Sequence, residues 1–244
     1  MERTHGVESW CAFGQSPRGV RPVCRRPNSA SRRVPGGAAA HDHTLLVYVL
    51  DVYDPWSYAY LPSVAEVFVA ASPLVGVELV NTGRYAGWDV GDLAPAAAAV
   101  AASTDIRFGD GFVDLLSRGG VRLDAEQAAA AMIGLLAAGD LSVTEVLSAV
   151  QDEFFVHGRP LNTPGVVRSL GDRLGVDGHA IEVFADTPRA RELAAEDFAM
   201  AMDFDQAGGP LLLASHAGRV FEFDGLGATG ARLVDQFRSV LARP

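Results

Sequence analysis

LLVYVLDVYDPWSYAYL, residues 45–61, carries the reading of the fold. TLLVYVLD (44–51) is a near-continuous apolar run with β-branched and aromatic members, the pattern of a buried strand. A helix is expected from about Pro55 to Ala71. Pro55 suits the first helical position, where its missing N–H is harmless, and Pro62 falls inside the helix and should kink it. VGVELVNT (75–82) reads as a second strand, so strand, helix and strand form a βαβ unit with parallel strands.

Residues 93–203 then read as helix after helix. One begins at Ser142, with Glu145 completing a capping box and Val143, Val146, Leu147, Val150 and Phe154 forming an apolar stripe. AEQAAAAMIGLLAAG (125–139) is a helix preceded by Asp124, and further helices are expected to start at Thr163-Pro164 and Thr187-Pro188. Strand signals return in PLLLAS (210–215) and RVFEFDG (219–225), an antiparallel hairpin around the turn-like His216-Ala217-Gly218. ARLVDQFRSVLA (231–242) is a last amphipathic helix. The expected fold class is α/β: a mixed sheet, βαβ…ββα, with an inserted all-helical domain. The sheet domain would take residues 42–92 and 204–244, the helical insertion 93–203, and an Arg-rich tail without a folded core 1–41.

The chain has 244 residues, of which 49% are hydrophobic and 20% charged, ordinary for a soluble globular protein. The net charge of −10 is uneven: residues 1–40 hold seven Arg against Glu2 and Glu8. The acidic remainder argues against nucleic acid as a partner. No run reaches the length of a membrane span, and GGAAA beside the Arg pairs is too short for the apolar region of a secretory signal. A cytoplasmic location is expected. Cys11 and Cys24 are the only cysteines, and the six His are scattered, so no metal is assigned.

The order of elements resembles the thioredoxin-like proteins of the DsbA type. LLVYVLDVYDPWSYAY is similar to their FrnE-like branch, in which an Asp, two residues and C-x-W-C-Y follow the first strand. Asp51, Trp56 and Tyr58 match that pattern; Asp54 stands at the first cysteine and Ser57 at the second. VELVNTGRYAG, FGDGFVDLL and the 147–177 segment resemble the branch's insertion, and Gly209-Pro210 resembles its cis-proline. What the resemblance implies is a thioredoxin-like fold whose redox dithiol is missing, since disulfide exchange needs an attacking thiolate and a resolving thiol. Kappa-class glutathione transferases and hydroxychromene-carboxylate isomerases also resemble this region, with an S-P-x-S motif. Only Ser57 matches their serines, and the Asp54 carboxylate would repel a glutathione thiolate.

Asp54 has three readings. It caps the helix, as Asp commonly does. It is a general base in a pocket lined by Trp56, Tyr58, Trp88 and the Gly209-Pro210 turn. Or it contacts a ligand without chemistry. The candidate catalytic pair is therefore Asp54 and Ser57, and the candidate substrate-binding residues are Trp56, Tyr58, Trp88, Gly209 and Pro210. GRYAGW (83–88) follows the second strand and either lines the site or is a plain loop. The expected partner is a small molecule or peptide, with no nucleic acid and no membrane. No cofactor is expected; glutathione is the alternative. The sequence leaves oligomeric state open.

Overall fold

The computed structural model describes residues 44–204 and 209–243, so the Arg-rich tail (1–41) and both cysteines lie outside the described residues. The described elements run β1 (Leu45–Leu50), α1 (Pro55–Ala71), β2 (Gly76–Asn81), a 3-10 turn (Val90–Leu93), α2 (Ala94–Ser103), α3 (Asp110–Arg118), α4 (Ala125–Ala137), α5 (Val143–Phe155), α6 (Val166–Arg173), α7 (Gly178–Ala185), α8 (Pro188–Ala201), β3 (Leu211–His216), β4 (Arg219–Glu222) and α9 (Gly230–Leu241). The sheet is mixed, with strand order β2-β1-β3-β4 and an antiparallel β3–β4 pair. No described helix is long and apolar enough to cross a membrane.

The chain divides into two compact units. One takes in the chain up to Tyr48, Ser63–Leu79 and Leu211 onward; the other takes in Val49–Pro62 and Val80–Pro210. In the first, Leu46, Val64, Val67, Leu212, Leu233 and Phe237 are buried, and Tyr48 meets Phe68 edge-on at 5.9 Å. His216 is buried here, with Thr44 Oγ1 2.7 Å from its Nδ1 and the Arg243 carbonyl 2.9 Å from its Nε2. The hairpin register pairs His216 with Arg219, which leaves Ala217 and Gly218 alone in the turn at φ 47° and 77°. That corrects the three-residue turn read from the sequence. A two-residue turn with two positive φ values matches the twist of its strands, and His216 is the last strand residue.

The second unit holds the helical segment. Asp124, Ser142 and Thr187 each cap a helix as expected, Ser142 with the full Glu145 capping box. Thr163-Pro164 does not start a helix: α6 begins at Val166 behind Gly165, whose φ is 80°. The Val166 N–H bonds the Thr163 carbonyl at 3.1 Å, so residues 163–166 close a turn instead. The core is aromatic. Phe112, Phe154 and Phe155 are fully buried and mutually in ring contact at 4.8–5.2 Å. The FGDGF segment makes this packing close. A Cβ on Gly109 would sit 2.3 Å from the Val156 carbonyl oxygen, and one on Gly111 2.4 Å from that of His157. Only glycine lets the start of α3 lie this near the end of α5.

Candidate functional site

The site is built where β1 ends and α1 begins, within the second unit. Asp54 precedes the helix and is 3% exposed. Its Oδ1 accepts the Trp56 N–H at 3.3 Å, and its Oδ2 accepts the Ser57 N–H at 3.0 Å. These are the orphan donors of a helix start, so Asp54 is a cap. It is more than a cap, because two hydroxyls also converge on it. Ser57 Oγ donates to Oδ2 at 2.9 Å, and the Tyr85 phenol donates to Oδ1 at 3.1 Å.

Asp51, three residues earlier, is 4% exposed. Its Oδ1 accepts the Tyr53 N–H at 2.9 Å, the local Asx pattern that turns the chain out of the strand. Its Oδ2 accepts the Thr82 hydroxyl at 3.1 Å and the Tyr85 N–H at 3.4 Å. Tyr85 thus serves both carboxyl groups, Asp51 with its backbone and Asp54 with its phenol. Trp88, 42% exposed, meets the Tyr85 ring edge-on at 5.1 Å. The Arg84 guanidinium lies 5.8 Å from the centre of the same ring.

Asp51, Asp54, Ser57, Thr82 and Arg84 line one cavity, together with Leu50, Gly209 and Pro210. Its volume is about 10 Å³, room for a single water. Among the residues singled out in the sequence, Asp54, Ser57, Gly209 and Pro210 therefore come together. Trp56, Tyr58 and Trp88 are not part of the lining. Successive helical residues point about 100° apart, so with Ser57 on the cavity Tyr58 faces elsewhere. Its ring stacks on Phe155 at 4.7 Å and Phe108 at 5.8 Å. Trp56 is half-buried. No peptide bond among the described residues is cis, Gly209–Pro210 included, which corrects the expected cis-proline. Trans is the lower-energy form of an X-Pro bond by about 0.5–1 kcal/mol.

Burial governs the site's electrostatics. It pushes the Asp51 carboxyl above the ordinary carboxylate range; Asp54's negative charge adds to this, while the Tyr53 N–H and the Thr82 hydroxyl oppose it. Burial likewise pushes Asp54 up, against the hydrogen bonds from Ser57, Trp56 and Tyr85. The Tyr85 phenol is pushed up by burial and by the Asp54 charge, so it stays a donor. Two carboxyl groups and three hydroxyls can bind, orient and move protons. Ser57 Oγ is committed as a donor to Asp54. Among the described residues no group of three or more His, Cys, Asp or Glu is placed to hold a metal.

The sequence reading passed over Thr82, Arg84 and Tyr85 as individual site residues and gave Asp51 no role. The available signal was position: GRYAGW follows β2, at the strand ends where such sites form.

The molecule has a thioredoxin-like fold with a helical insertion. No family model matches the sequence, and no curated protein matches it. Among solved structures it is similar to the cytosolic disulfide reductase DsbM from Pseudomonas aeruginosa. The identity is 23% and the TM-score 0.64, over 81% of this chain and 96% of that one. The same reductase with GSH gives 24% identity and a TM-score of 0.61, over 81% and 96% of the two chains. A 2-hydroxychromene-2-carboxylate isomerase gives 15% and 0.50, over 80% and 93%. At these identities the likeness is one of fold.

Proposed function

We propose that this chain is a DsbA/FrnE-like protein that has no redox dithiol and binds a small molecule or peptide over the site at the start of α1. The observation that carries the reading is Asp54. A buried carboxylate, saturated by Trp56, Ser57 and Tyr85, occupies the helix start where dithiol chemistry would need a thiolate. Because the cavity has room for no more than one water, a ligand would rest across its mouth, with Arg84, Gly209 and Pro210 as contacts. The exposed Trp88 is a further contact nearby, beside Tyr85. We place the protein in the cytoplasm, without nucleic-acid or membrane partners. The test has two arms. Insulin reduction with dithiothreitol should not exceed background, and turnover that survives removal of residues 1–40 would refute the loss of redox activity. A thermal-shift screen with glutathione and hydrophobic carboxylates should raise the melting temperature for a ligand selective for the folded state.

A second reading is a non-redox isomerase or glutathione-transferase-like enzyme using Asp54 and Ser57. What favours it is that two buried carboxyl groups open on one cavity, an acid–base arrangement. Glutathione fits it less well, since the Asp54 carboxylate would repel the thiolate.

A further inference from the structure

Two carboxyl groups that are nearly fully buried and line one water-sized cavity do not ionise independently. With both charged, their repulsion adds to two desolvation penalties. Among the described residues, the charged and titratable groups around the cavity are Asp51 from the end of β1, Asp54 from the start of α1, and Arg84 and Tyr85 from the loop after β2; Tyr53, whose N–H Asp51 accepts, turns its phenol to the Leu161 N–H, and Gly209 and Pro210 add none.

The two donor sets are unequal. Asp54 takes four donors at 2.9–3.3 Å, two of them N–H groups of the first turn of α1, where the helix dipole also favours negative charge. Asp51 takes three, and the Tyr85 N–H at 3.4 Å is the longest contact of the set. We propose that Asp51 and Asp54 hold one proton between them under conditions where exposed aspartates have lost theirs, and that it resides on Asp51. The cavity then presents a carboxylic acid beside a carboxylate.

This deepens the isomerase reading and rests on it for its use. A base that takes one proton from a substrate and an acid that gives one back leave the pair with an unchanged proton count. The reaction class that fits is relocation of a proton within one small molecule, rather than group transfer. Asp51, absent from the catalytic pair read in the sequence, becomes its acid partner.

The test reads protonation, not turnover, so it stands or falls apart from any substrate. Carboxyl carbon-13 resonances of the full chain are followed with pH and assigned through Asp51→Asn and Asp54→Asn. In the wild type, one carboxyl should stay protonated after the exposed aspartates have ionised. That late-titrating signal should vanish in Asp51→Asn, and in Asp54→Asn it should shift to lower pH as the neighbouring charge is removed. Thr82→Val, which removes a donor to the ionised form, should shift it to higher pH and keeps the test open if an Asn variant fails to fold. Both carboxyls ionising with the exposed aspartates in the wild type would overturn the proposal. So would a late signal that survives in Asp51→Asn and is lost in Asp54→Asn.

Discussion

Two helix starts in this molecule use the same local device and end in opposite electrostatics. At α5, Ser142 and Glu145 cap each other in solvent: Glu145 Oε2 accepts the Ser142 N–H at 2.8 Å, and Ser142 Oγ accepts the Glu145 N–H at 3.2 Å. The Ser142 hydroxyl and N–H hold the Glu145 carboxyl below its ordinary range. At α1, Asp54 accepts comparable N–H bonds, yet its carboxyl is pushed up, because burial outweighs them. Capping is written in three or four residues. Whether a cap is only a cap or also an acid–base group depends on what the rest of the chain lays over it.

The largest effect should come from Asp54→Ala. It removes the cap and strands buried donors of Trp56, Ser57 and Tyr85, so urea unfolding should show a loss of about 2–3 kcal/mol. Ser142→Ala, the same deletion in solvent, should lose only about 1 kcal/mol, because water takes over the freed N–H. Equal losses at the two sites would break the contrast.

The pH dependence should separate them by sign. Asp51's folded-state pKa is raised, so its contribution is present below the unfolded value, about 3.9, and is lost as pH rises through the folded value. Asp51→Asn should therefore gain stability relative to the wild type as pH rises from about 4 to about 7. Glu145's is lowered, so its contribution is present above about 4.3 and lost as pH falls. Glu145→Gln should be penalised near neutrality and approach the wild type in acid. Parallel pH profiles for the two variants would contradict this assignment.

The smallest effect is expected from Asp54→Asn, within about 0.5 kcal/mol, since Asn caps nearly as well as Asp. Its carbonyl takes the Ser57 N–H and hydroxyl, and the Tyr85 hydroxyl turns to accept from the amide; the part-buried Trp56 N–H loses its acceptor and must turn to water. If a substrate is found, the same variant should abolish turnover, because an amide takes up no proton. Retained turnover would reduce Asp54 to a cap.

Local patterns carried much of the fold. The apolar run 45–50, the Pro55 helix start, the Ser142 capping box and the two late strands are set by interactions within a few residues, and the structure has each of them. The misreadings fell where a local signal met a competing one. Thr163-Pro164 looks like a cap and first turn, but the following Gly165 takes a positive φ and delays the helix. His216 looks like a turn residue, but its ring finds Thr44 and the Arg243 carbonyl, 172 and 27 residues away.

The sequence by itself determined the order of elements, the lack of any thiol in the DPWS stretch, and the presence of Asp54 at a helix start. Tertiary structure alone decided that Asp54 is buried, that Asp51 shares its cavity, and that Tyr85 joins the two. The reason is physical. A cap is fixed by backbone donors two and three residues away, whereas desolvation and the Tyr85 phenol, 31 residues on, arrive only when distant segments pack.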